Sequence, residues 1–148
     1  MNELTRPEEM SLSGAALRGA PWRVAALGGA LVAGGDFVLD LIFGGPDLSW
    51  SVGLGLALFT LIATIGAVAR PDRGDRVTRQ ARAWALRHPW RFSLWPAAGA
   101  AIMLYPVQLI FDDDGVFGAA WDAVCGGAVI YLIAGLLILA LKGRAPAR

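Results

Sequence analysis

One cysteine and one histidine are all that this 148-residue chain contains. Cys125 has no second thiol to pair with, so an intrachain disulfide is excluded. Inside an apolar run beside Gly126, it reads as a packing thiol. With His88 as the sole imidazole, a Cys/His metal cluster is excluded too, and neither metal nor cofactor is expected. Gly53-Leu54-Gly55 lacks the third glycine and the preceding strand of a nucleotide-binding loop. Charge is scarce at 17% of residues, with a net of +1. No nucleic-acid partner is expected.

Hydrophobic length is what the chain has in quantity. It is 56% hydrophobic, with a mean hydropathy of +0.55. Apolar runs near 24–43, 50–69, 92–111 and 117–141 each have the roughly 20 residues needed to cross a bilayer core. A water-soluble bundle needs a polar face on each helix, and these runs have little. The first run is longer than a signal-peptide core and has no clear cleavage site, so it is expected to remain in the mature protein.

The few charges are sorted along the chain. All 13 Lys and Arg lie in the N-terminal segment, the 70–91 connection or the C-terminal tail. The short connections near 44–49 and 112–116 hold Asp47, Asp112, Asp113 and Asp114 and no base. The positive-inside rule then puts both termini and the middle connection in the cytoplasm. Trp22 and Trp90 mark the inner interface, and Trp50 and Trp121 the outer one. Twelve Arg to one Lys, with abundant Ala and Gly, suggests a GC-rich bacterial genome and hence an inner-membrane location. The lone His88 is then across the membrane from the acidic connections, so no hydrolase triad assembles and no catalysis is expected.

The runs come as two copies of one hairpin. Residues 21–43 match 89–111 at eight of 23 positions, with Pro21-Trp22-Arg23 on Pro89-Trp90-Arg91 and Leu41-Ile42-Phe43 on Leu109-Ile110-Phe111. Residues 50–69 match 121–140 at seven of 20 positions, including Trp50 on Trp121 and Gly55 on Gly126. Two spans per copy give both copies the same orientation, related by an axis along the membrane normal. The expected fold is an all-α membrane protein: four transmembrane helices as two parallel tandem hairpins, with a short amphipathic cytoplasmic helix between them. Residues 1–20 read as a mobile or surface-lying tail, 21–70 as the first repeat, 71–88 as a basic connection, 89–142 as the second repeat and 143–148 as a tail.

The second copy carries Leu104-Tyr105-Pro106, a short turn, Ala119-Ala120-Trp121-Asp122 and Gly126-Gly127. In this it resembles the bacterial SPW-repeat membrane proteins, over residues 95–140 and more faintly 27–69. Tyr105-Pro106-Val107 and Asp36-Phe37-Val38 stand where that family has its Ser-Pro-Trp signature. The resemblance implies paired two-helix repeats and supports the architecture alone.

Two groups of residues are candidates for function. In the 70–91 connection, Asp75 caps a helix running to about His88, stopped by Pro89. Val77, Ala81, Trp84 and Ala85 share one face, and Arg76, Arg79, Arg82 and Arg87 cover much of the rest. This suits a helix lying on the inner leaflet, Trp84 dipped in and the arginines on anionic head groups. A solvated helix whose arginines only set topology is the alternative.

The second group centres on Asp36 and Asp40, spaced i, i+4 on one face of the first span. A central Asp costs about 2.5–3.5 kcal/mol, and each Leu, Ile, Phe or Val returns only about 0.3–0.6 kcal/mol. That span is marginal alone, so Asp36 is expected to face the interior or a cleft. Tyr105 and Gln108 lie at similar depth, with Thr60 and Tyr131 a turn deeper. A proton- or cation-binding site is one reading and an interhelical hydrogen bond the other. The favoured function is helix packing, with a second copy or another membrane protein. The alternative is a small proton- or cation-coupled transporter or channel subunit using Asp36 and Asp40.

Overall fold

The computed structural model describes residues 5–69, 74–113 and 115–144, and among these there are six helices and no strand. They are α1 (Arg6–Leu17), α2 (Trp22–Phe43), α3 (Leu48–Val68), α4 (Arg76–Arg87), α5 (Pro89–Phe111) and α6 (Gly115–Arg144). Helices α2, α3, α5 and α6 are each long and apolar enough to cross a membrane. At about 1.5 Å per residue the first three are each about as long as a bilayer core is thick. The 30-residue α6 is about 45 Å long and overshoots it.

The outside of this bundle is apolar. Leu31, Ile102, Ile110 and Phe117 are 72–91% exposed. So much uncovered hydrocarbon is unfavourable in water and favourable in lipid.

Each long helix packs tightly on its chain neighbour. In the α2–α3 pair the approach is set by two glycines. A Cβ on Gly29 would lie 2.6 Å from the Gly55 carbonyl oxygen, and one on Gly55 the same distance from that of Gly29. In the α5–α6 pair, a Cβ on Gly127 would lie 2.8 Å from that of Ala101. An aromatic pair accompanies each crossing: Trp22 on Phe59 at 6.0 Å, and Trp90 on Tyr131 at 5.5 Å. Helix α3 then lies against both α5 and α6. Their shared core is Ala97, Ala100, Leu104, Ala123 and Ile130, with Leu56, Ala57 and Leu61 from α3. Among the described residues, α2 touches only α3.

Helices α1 and α4 pair with each other and close the basic end of the bundle. The core there joins Ala15, Ala16, Ala81, Trp84 and Ala85 to Val68, Phe92 and Ile138 from α3, α5 and α6. Two expectations change here. The N-terminal segment contains a docked helix, with Ser13, Ala15, Ala16 and Ala20 buried. The helix starts because Thr5 donates its N–H and hydroxyl to the Glu8 carboxylate, at 2.7 and 2.9 Å, and Pro7 fits the first turn. Helix α4 matches the sequence reading in its bounds but not in its surroundings: Ala81, Trp84 and Ala85 of its apolar face are covered by α1 and the ends of the long helices, while Val77 stays exposed.

Candidate functional site

The Asp47 carboxylate accepts from the Trp50 N–H and the Ser49 hydroxyl, both at 3.0 Å. These bonds hold its pKa below 3.8, the Trp50 amide contributing most. The cap satisfies a free amide of the first turn of α3, and one residue beyond Trp50 stands Ser51, facing α2. There the Ser51 hydroxyl donates to Asp36 Oδ2 at 2.8 Å. Ser51 is buried and Asp36 half-buried. Asp36 thus faces the protein, as its depth demands, and its partner comes from the helix next in the chain.

The other expected members lie elsewhere. Asp40 is half-buried one turn on, and its backbone carbonyl accepts from Gly44 and Gly45 at 2.9 and 2.8 Å. Thr60 donates to the Leu56 carbonyl of its own helix at 2.8 Å, so its hydroxyl is satisfied locally. Tyr105 packs against the α3–α5–α6 core. Gln108, half-buried on α5, has its carbonyl oxygen buried without a hydrogen-bond partner. Because α2 makes no contact with α5 among the described residues, Asp36 and Asp40 do not meet Tyr105 or Gln108. Equal depth in the sequence did not translate into adjacency, because α3 stands between.

The basic candidates also separate. Arg76, Arg79 and Arg87 are exposed, as a surface role requires. Arg79 and Arg87 each reach back to a backbone carbonyl, of Gly74 at 3.1 Å and of Ala83 at 3.3 Å. Trp84 and Arg82 are only 6% and 4% exposed. The expectation that these two meet lipid head groups does not hold, because α1 covers them. Arg82 donates through Nε to the Ala16 carbonyl at 3.2 Å and through Nη2 to that of Arg18 at 2.6 Å. A fixed cation at the carbonyl end of α1 suits the helix dipole. Trp84 lies against His88, ring centroids 5.8 Å apart. Asp75 caps α4 by accepting the Thr78 N–H at 3.0 Å; hydrogen bonds from Thr78 lower its pKa first, the charge of Arg18 adding to them.

Two participants were not read from the sequence. Ser51 carried no signal, being one of two serines near the acidic end, Ser49 the other. Glu9 of α1 pairs with Arg91 of α5 at 2.9 Å, which ties the N-terminal helix to the start of the third span. Cys125 is exposed on the outside of α6 rather than packed within the chain. Asp122 lies two turns into α6, which begins at Gly115. Asp114 lies outside the described residues. No group of three or more metal-ligating side chains occurs among the described residues. No family model, curated protein or solved structure matches this chain.

Proposed function

We propose that the chain is a small multi-pass protein of a bacterial inner membrane that works by helix packing, as a partner subunit and without catalysis. The observation that carries this reading is the one-sided attachment of α2. Only 6% of its apolar window is buried within the chain, against 39% for α3. Ala26, Ala30 and Gly34 form an exposed i, i+4, i+8 ridge on it, and a Cβ on Gly34 would meet nothing within 4 Å. Such a ridge lets another helix approach closely in lipid.

In the same reading both termini and the α1–α4 end are cytoplasmic, the exposed Arg76, Arg79 and Arg87 facing an anionic leaflet. The two hairpins are parallel repeats of the SPW-like kind. Support comes from equivalent contacts: Trp22 with Phe59 against Trp90 with Tyr131, and Ala33 with Gly55 against Ala101 with Gly127. Leading helices correspond by 68 residues, and returning helices by 72 in these contacts against 71 in the sequence alignment.

The test uses a Cys125→Ser background carrying Ala30→Cys. Bifunctional thiol crosslinking in native membranes should yield a dimer or one reproducible larger product, and Ala30→Leu should abolish co-purification of that partner in mild detergent. A chain that stays monomeric and uncrosslinked in its own membrane sinks the packing reading. The transport alternative draws on the Asp36–Ser51 pair, yet α2 lines no enclosed path with α5 or α6 among the described residues. Proton flux in proteoliposomes that disappears in Asp36→Asn would install it instead.

A further inference from the structure

A cleft of about 650 Å³ opens between the α1–α2 joint, the start of α2, the end of α3 and the first turns of α4. Its volume lies in the range typical of small-ligand pockets, about 300–1,000 Å³. Its lining is of two kinds. Pro21, Val24, Gly66 and Ala69, from the ends of the spans, form an apolar floor. Arg18, Thr78 and Arg82, from the α1–α4 layer, form a polar rim. The cleft therefore crosses the level at which the apolar helices begin, and the exposed Trp22 stands beside that level.

The rim is built rather than incidental. Arg82 is 4% exposed and clamps the carbonyls of Ala16 and Arg18, so the backbone of the α1–α2 joint is fixed where the Arg18 side chain emerges. Arg18 itself is exposed. The carboxylate of Asp75, close enough to feel the charge of Arg18, accepts the Thr78 N–H at 3.0 Å as the cap of α4. A guanidinium at the edge of an apolar floor matches one ligand class closely. Its fork of N–H donors recognises phosphate, and the floor accepts the glycerol and first methylenes that a lipid brings with it.

We infer that this cleft holds the phosphodiester head group of an anionic phospholipid, the phosphate on Arg18 and the glycerol region over Pro21, Val24 and Ala69. The inference rests on the membrane reading above and names the lipid at one particular site. Its occupant differs from a general leaflet attraction, because it is selected by the cleft and not by the outer arginines of α4.

The test uses the full chain purified in a neutral detergent, with tryptophan fluorescence reporting the unfolding midpoint. Phosphatidylglycerol at a hundredfold its Kd should raise that midpoint by about 5–10 °C. Phosphatidylcholine with the same chains, and inorganic phosphate, should each give less than a third of the rise. Arg18→Gln, at an exposed position, should lose most of it, and so should Ala69→Trp, which fills the floor. Arg76→Gln, outside the cleft, should keep it. A rise that survives both cleft variants, or that phosphatidylcholine reproduces, overturns the site. A rise reproduced by inorganic phosphate alone overturns the lipid as its ligand. Absence of any lipid effect in the chain with its cleft intact, while the Ala30→Cys variant still crosslinks, sinks this inference and leaves the packing reading standing.

Discussion

Asp36 and Ser51 hold one another at 2.8 Å, and the two halves of that bond respond differently to substitution. Asp36→Asn keeps an acceptor facing Ser51 and removes the ionisable carboxyl. It should change stability by less than about 1 kcal/mol, whereas Ser51→Ala strips the carboxylate of its donor and should cost about 0.6–2 kcal/mol. Unfolding titrations in mixed micelles measure both, and a larger loss in the asparagine variant would assign the carboxyl itself a role. Arg82 offers a harsher case. Arg82→Met keeps much of the volume and removes the donors to Ala16 and Arg18. Bonds to a charged group are worth about 1.5–3 kcal/mol, so the amides of α1 should exchange at least about tenfold faster. Unchanged protection of α1 would mean that Ala15 and Ala16 dock the helix without the arginine.

Elements differ in how they begin, and pH reads that difference. Glu8, Asp47 and Asp75, at the starts of α1, α3 and α4, are held below their ordinary values of 4.5, 3.8 and 3.8 by the hydrogen bonds they accept. A carboxyl with a depressed folded pKa contributes stability that is complete above its unfolded value and lost as pH falls through the folded one. Acidification below about pH 4 should therefore fray α1, α3 and α4 at their first turns. Helices α2 and α5 have no side-chain cap, so their starts should not respond. Protection factors compared at pH 6 and pH 3 check the contrast. Close approach is the other element-level property. Gly55→Leu drives a side chain into the Gly29 backbone and should cost about 1–3 kcal/mol, lowering the unfolding midpoint. Gly53→Ala is the control, because a Cβ there would sit at an ordinary 3.7 Å from Leu104. The spans and α4 were legible because apolar length, the Asp75 cap and the Pro89 stop are local signals. Helix α1 was not, since its docking face is Ser13, Ala15 and Ala16, small residues without an apolar period. Its Thr5–Glu8 capping box was the signal available. Among the intramembrane polar residues, depth was legible and helix rotation was not. The Asp36 partner is accordingly Ser51 of the neighbouring helix instead of Tyr105 or Gln108.

For the molecule as a whole, charge sorting makes a prediction that contacts do not. A cytoplasm-only reporter fused after residue 148 should be active, and a periplasm-only reporter there silent. The reverse result would invert the orientation and move the cleft beside Arg18 to the other leaflet. The α1–α4 closure also orders events in time. Ala16 is made near the start of the chain, and Ile138, which shares its core, 122 residues later. At about 5–20 residues per second the first helix waits about 6–24 s on the ribosome for its last neighbour. Until α6 is in place, Trp84 and the alanines of α1 lack part of their cover. A chain that stops before the last span therefore leaves this core open on the side that Ile138 fills, and its surface differs there from that of the finished fold.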